Sequence, residues 1–413
     1  MRKSRHGLTH SFFVERQTMK KISILSLSLL TVMAGAAVAP ALGVIKEYFS
    51  DADPIMIQLI ISTPAVFIFL TSFIFPKLAD LFRVKTLVII GLALYVLGGC
   101  LAGLFNNIWI VLLFRALVGM GVGIIMPLST GLLSFYYPPD QLDKLMGLSS
   151  AMNQMGGVIA TLIAGVLAAV SWRASFLVYL LGLICTILCL LFLPNDKLSS
   201  AGGSEESTAA PGKRSGRSNI TEEADEIRKR HPFIRYYSYI ISMFLLMMIF
   251  FLYPTNFAIE TAKDGIISQQ WIAVIMAFMD LVAFFGGLSF IYIKKLFKNS
   301  TLLISPVLFL IGYLFLSLGK GWIGALIGSA IVGFANGSGV PAIISAASLK
   351  AGKSAVSTVM PLISAALYLA QFLTPFAMSA ISWINVPHLP YWFAAALSLV
   401  LFIWTLISFR KSK

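Results

Sequence analysis

Long apolar runs alternate with short polar breaks along almost the whole 413-residue chain. Stretches such as Thr86–Leu104 and Ala355–Trp383 pass without a charge, and about twenty such residues let a helix cross ~30 Å of hydrocarbon. The runs are continuous and do not alternate with period two, which argues against a membrane β-barrel. The pattern predicts twelve helices, numbered here as spans 1 to 12, at residues 22–45, 55–75, 86–105, 108–136, 145–170, 174–193, 235–258, 268–293, 301–319, 321–348, 355–382 and 390–409. Basic residues precede the first run, as in a secretory leader. That run is about 24 residues long, however, against 7–15 for a leader core, so it reads as span 1.

Residues 194–234 interrupt the pattern with Ser, Gly, Pro, acids and the basic run Arg228-Lys229-Arg230. Such a composition cannot bury a core and predicts a cytoplasmic linker, in which Asn219 and Glu222 have the spacing of a helix cap. The linker divides the chain into bundles at 1–193 and 235–413. These bundles carry similar landmarks. At an offset of 214 residues Pro40 falls on Pro254, and Val118-Gly119, Gly123 and Pro127 fall on Val332-Gly333, Gly337 and Pro341. One residue out of register, Asp80-Leu81-Phe82-Arg83 meets Lys295-Leu296-Phe297-Lys298. A duplicated six-helix unit, related by an axis along the membrane normal, accounts for these matches. It places a central cavity between two halves that rock.

Composition agrees with a membrane protein: 58% of residues are hydrophobic and 12% charged, against roughly 45–50% and about 25% in soluble domains. A formal charge of +14 would suggest nucleic acid in a soluble protein. Here 26 of the 31 Lys and Arg fall on one side of the predicted spans. Lys46, Arg173, Lys263 and Lys320 fall on the other, and Arg115 lies inside span 4. This positive-inside bias puts both termini in the cytoplasm and removes the need for nucleic acid. Cys100, Cys185 and Cys189 lie within spans, the four histidines avoid the span interiors, and no metal or cofactor spacing occurs.

Several motifs resemble the major facilitator superfamily. After span 2, Leu78-Ala79-Asp80 and Lys85 match the loop Gly-x-Leu-Ala-Asp-Arg-x-Gly-Arg-Arg/Lys, while Pro76, Leu81, Arg83 and Val84 depart from it. In span 4, Arg115, Gly119 and Gly121 reproduce the Arg-x-x-x-Gly-x-Gly pattern of its twelve-span drug:proton antiporters, and Trp172-Arg173-Ala174-Ser175-Phe176 is similar to the link before their sixth span. The span 5 signature survives only as Gly156, Ala160-Thr161 and Ala164-Gly165, without its proline. The resemblance implies an all-α fold of twelve helices in two pseudo-symmetric halves. It also implies a conformational latch at Asp80, Arg83 and Lys85, a part for Arg115 in proton coupling, and a cavity lined by spans 1, 4, 7 and 10.

A charge at mid-membrane costs about 2.5–3.5 kcal/mol on insertion scales, so an ionisable residue there is a functional candidate. Asp280 lies near the middle of span 8 on a stripe of small residues, Ala273, Ala277, Ala283 and Gly287, which predicts that it faces protein or cavity. Burial favours a carboxyl's neutral form, which makes Asp280 a candidate proton carrier. Arg115 stays charged and suits the tuning of a carboxylate or anion. Tyr253, Asn256 and Glu260 share a face of span 7. Asn336, Asn153, Gln154, Tyr368 and Gln371 add neutral polar groups in spans 10, 5 and 11, and are candidate cavity residues.

These features predict a monomeric secondary transporter of a bacterial inner membrane, without cofactor, exporting a small amphipathic compound in exchange for protons. An importer of an organic ion is the alternative, favoured by the degraded span 5 motif. A membrane-embedded lipid enzyme would need clustered catalytic groups, yet neither His-Glu-x-x-His nor Gly-x-Ser-x-Gly occurs. No nucleotide-binding Gly-x-x-x-x-Gly-Lys-Ser/Thr occurs either.

Overall fold

The computed structural model describes residues 2–197, 232–265, 267–319 and 321–410. Most of the predicted linker, with Asn219, Glu222 and Arg228 to Arg230, lies outside them, as does Lys320. Among the described residues the chain is helical and without strands. Twelve helices are long and apolar enough to cross a membrane: Gln17–Tyr48, Pro54–Leu81, Val84–Ala102, Ile108–Leu133, Leu145–Val170, Trp172–Phe192, Tyr236–Asp264, Gln269–Phe297, Thr301–Leu318, Gly321–Lys350, Val359–Ala380 and Leu389–Ser408. They keep the numbering of the predicted spans. The end carrying the loop at Phe82 and Asp196 is called the linker end, and the opposite face the far end.

Local chemistry sets where the helices start and break. Span 2 opens on Asp53, whose carboxylate accepts the Ile55 N–H at 3.0 Å, with Pro54 following at a position that needs no N–H. Asn107 caps span 4 in the same way through the Trp109 N–H. Span 1 differs from the sequence reading, because it is broken. Its first helix ends at Ala36, a 3-10 turn covers Ala39–Ala41, and a second helix runs Leu42–Tyr48. Pro40 cannot donate to the Ala36 carbonyl, and the chain tightens there. Span 6 carries a comparable 3-10 segment, Phe176–Leu180. Spans 10 and 11 fold back on one another, since Ser348 Oγ lies 3.7 Å from Met360 Sδ only twelve residues on, where a straight helix would separate them by about 18 Å.

Glycines let the helices of each six-span set approach closely. A side chain at Gly119 would collide with Pro64 and Phe67 of span 2, and one at Gly123 with Ile68 and Thr71. In the second set, Gly333 meets Met279 of span 8 and Gly337 meets Ala283. These are the same approaches displaced by 214 residues in spans 4 and 10, and by 215 in spans 2 and 8. The repeat seen in the sequence is therefore a repeat of packing contacts.

Candidate functional site

Arg115 is fully buried inside the first six spans. Its Nε donates to the Ile60 carbonyl at 2.6 Å, Nη2 to the Ala34 carbonyl and Nη1 to the Tyr179 hydroxyl. Tyr179 Oη in turn donates to Ala34 O at 2.7 Å. Both carbonyls lack their usual helical partner. Ile60 O would serve the N–H four residues on, but that residue is Pro64. Ala34 O would serve Val38 N, which instead bonds to Gly35 O at 3.3 Å. The guanidinium thus answers two carbonyls that spans 2 and 1 leave open. At an offset of 214 its counterpart is Ser329, which pairs with the Tyr253 hydroxyl at 2.7 Å, so the packing repeat is not matched by a repeat of charge.

Asp280 lies where the two six-span sets meet. Thr161 Oγ1 of span 5 donates to its Oδ2 at 3.2 Å, and a side chain at Gly157 would come within 3.6 Å of the same oxygen. Ala273, Ala277 and Ala283 on its side of span 8 are buried, whereas Phe278 and Phe285 are exposed. Among the described residues no basic side chain forms an ion pair with Asp280. Arg115 is occupied by carbonyls and a phenol, and the two residues are not partners.

Two cavities flank this level. The cavity toward the linker end has a volume of about 560 Å³ and is lined from spans 1, 2, 4, 5 and 11. Asn153 and Tyr368 line it, and Tyr368 Oη reaches Met126 Sδ at 2.7 Å across the two sets. The far-end cavity, about 380 Å³, is lined by Gln58, Asn256, Glu260 and residues near the start of span 12. Gln58 Nε2 donates to Asn256 Oδ1 at 2.7 Å, joining the sets at its wall. The far end is further closed by Gln269 donating to Pro40 O, and by Gly43, where a Cβ would stand 3.0 Å from Ala258 O. Gln371 Nε2 bonds to Ile61 O at 3.5 Å.

The remaining sequence candidates divide between packing and surface. Tyr253 is buried against Ser329, Asn336 Oδ1 is buried without a partner among the described residues, and Gln154 is half-buried; none of the three lines either cavity. Among the described residues neither of the expected spans 7 and 10 lines the linker-end cavity, while span 7 lines the far-end one through Asn256 and Glu260. Asp80 and Arg83 are exposed and Lys85 half-buried. They form no ion pair among the described residues. Sequence reasoning passed over Tyr179, Gln58, Thr161 and the hydroxyls of Ser28, Thr31 and Ser149. Gln58 carried a usable signal, an amide inside an apolar run; the hydroxyls carried none, since Ser and Thr are ordinary in such helices. It also passed over His388, whose Nδ1 stands 3.7 Å from Glu260 and Nε2 4.0 Å from Asp264.

The family model described as Major Facilitator Superfamily matches residues 24–375. The chain belongs to the major facilitator superfamily. It is a multi-pass membrane protein. Among similar proteins, the quinolone resistance protein NorA of Staphylococcus aureus is 31% identical over 127 residues, covering 30% of this chain and 33% of NorA. Multidrug resistance protein 3 of Bacillus subtilis (strain 168) is 26% identical over 104 residues, covering 25% of this chain and 20% of that protein. The matches therefore span a third or less of these relatives. A mutant form of the nucleoside transporter NupG superposes with a TM-score of 0.75 at 14% identity, covering 94% of this facilitator and 99% of NupG. A bacterial homologue of the lysosomal transporter Spinster gives 0.67 at 14% identity, covering 96% and 95%. These likenesses share the fold.

Proposed function

We propose that this facilitator exports a small amphipathic compound in exchange for protons, by alternating access between two six-helix halves at 1–193 and 235–413 joined by a cytoplasmic linker. The observation that carries this reading is the arrangement of the two cavities around Asp280. The larger one lies toward the linker end, and the seam between the sets is closed toward the far end. With the positive-inside orientation of a bacterial inner membrane, the larger cavity faces the cytoplasm, where an exporter loads. Asp280, at the meeting of spans 5 and 8 and without a basic partner among the described residues, is the proton carrier. Its neighbours on span 5 move with the opposite half, so rocking changes its surroundings. Arg115 acts mechanically, holding the break in span 1 and the proline site in span 2. Asp80, Arg83 and Lys85 form the latch of the alternate, cytoplasm-closed state, which fits their exposure and lack of ion pairs here. The names of NorA and multidrug resistance protein 3 support export of drug-like compounds.

The test is direction. Purified protein in vesicles, given a neutral, non-titrating aromatic compound as probe, should move it against an imposed proton gradient, so that the compound accumulates in the acidic compartment and loses that gain when the gradient is collapsed. Movement in the same direction as the protons would favour the importer, which the degraded span 5 motif and the likeness to a nucleoside transporter support.

A further inference from the structure

The linker-end cavity mixes polar and apolar side chains and carries no charge among the described residues. Spans 1 and 5 contribute Ser28, Thr31, Ser149 and Asn153, and spans 2 and 4 contribute the apolar Phe69, Phe73 and Met126 beside hydroxyls of their own; among the described residues no Asp, Glu, Lys, Arg or His lines it. Most of the polar wall is already satisfied. Ser28 Oγ and Ser149 Oγ are 2.6 Å apart, and Thr31 Oγ1 lies 2.7 Å from Asn153 Oδ1. One end of the Asn153 carboxamide is therefore engaged, and its Nδ2 has no partner among the described residues. Asn153 is half-buried at the cavity wall, so that free amide end faces the space a ligand would fill.

We infer that this cavity takes an electrically neutral molecule, with a flat apolar body against the Phe and Met wall and a carbonyl-type acceptor meeting the Asn153 amide. A carboxylate, phosphate or ammonium would leave water for a lining with no counter-charge among the described residues, which is costly. A neutral aromatic gains burial and gives up little hydration, and methionine adapts to its outline. The volume of about 560 Å³ suits a ligand of drug-like size. Asp280 does not change this. It is bonded to Thr161, beyond Gly157, one helical turn past Asn153, and does not line the cavity. The purpose of the pocket rests on the proposed transport function, whereas its ligand chemistry stands on the lining alone. Together they give a consequence for coupling. One neutral molecule out for one proton in moves net charge, so membrane potential drives transport even without a pH difference.

Binding to full-length protein in nanodiscs tests the ligand class with three coumarins of similar size: 7-methoxycoumarin, coumarin-3-carboxylate and a 7-trimethylammonium coumarin. The neutral compound should bind at least about thirtyfold more tightly than either ion. Asn153→Leu should weaken it by about five- to tenfold, while leaving 2-methoxynaphthalene, which lacks the lactone carbonyl, unchanged or tighter. Equal or tighter binding of a charged coumarin overturns the inference, as does failure of all three to bind up to about 1 mM. Equal loss of both neutral compounds in Asn153→Leu overturns the role of the amide. If that variant does not fold, the charge series on the unaltered protein still decides the class. The predicted binding pattern without proton-driven flux would refute the transport function and leave the ligand class standing. Proton-driven flux of only the charged coumarins would do the reverse.

Discussion

Arg115 Nε donates to the carbonyl of Ile60 at 2.6 Å, the carbonyl that Pro64 leaves without its helical partner. A second donor of the same side chain meets Ala34 O at the break in span 1. Replacing Arg115 by Gln leaves at least one buried carbonyl unanswered, and each such group costs about 1–3 kcal/mol. Arg115→Gln should therefore lower the melting temperature more than Arg115→Lys, which keeps the charge and one donor direction. Residual flux should fall with folded fraction while its pH profile keeps its shape. A well-folded Gln variant with a displaced pH profile would instead give Arg115 a direct part in proton exchange.

The glycine contacts of spans 4 and 10 make a stability prediction. A Cβ at Gly119 meets Pro64 and Phe67, whereas one at Gly131, in the same helix, meets nothing within 4 Å. Gly119→Ala should cost about 1–3 kcal/mol through overpacking. Gly131→Ala should be neutral or gain up to about 1 kcal/mol from helix propensity. Melting curves of the two variants in one detergent compare them; equal melting temperatures would contradict the close approach.

Gln58 and Asn256 join the two sets at the far-end cavity. Cysteines in their places, tied by a short reducible cross-linker, should hold the far end closed. Flux should fall to about a tenth or less and return on reduction, as expected where transport needs rigid-body motion of the halves. Undiminished flux with the link intact would rule out opening at this seam.

The proposed orientation, with both termini in the cytoplasm, rests on the 26 basic residues on one side of the spans. A maleimide that cannot cross membranes should label a cysteine placed beside Lys263 in intact cells, and one beside Lys298 only after permeabilisation. Labelling of both from the same face would break the assignment of span 8.

The spans were legible because the hydrocarbon demands apolar runs of a set length, and the repeat was legible because glycines must recur where helices touch. Asp280 stood out for its cost. The break in span 1 did not, since residues 37–41 are as apolar as their surroundings and only Pro40 marks them. The partners of Arg115 were out of reach for a different reason. Two of the three are backbone carbonyls, which every sequence contains, and only three-dimensional structure says which of them are free. The cavity candidates divide, because a neutral polar residue in an apolar helix can pack against a neighbouring helix as readily as face a cavity. Residues such as Asn153 and Tyr368 reach the cavity, while Tyr253 and Asn336, with the same chemistry, pack away from it.

Proton exchange at Asp280 is tested most directly by substrate-induced proton movement across sealed vesicles holding purified protein, followed with an internal pH dye, for the unaltered chain and for Asp280→Asn. The amide keeps the size of the carboxyl and the contact with Thr161, so the variant should fold and bind substrate. Adding a transported compound to one side should move protons to that side in the unaltered protein, and should produce no proton movement in Asp280→Asn, with gradient-driven flux down by at least about a hundredfold. Full proton movement and full gradient-driven flux in the folded Asn variant would contradict the account.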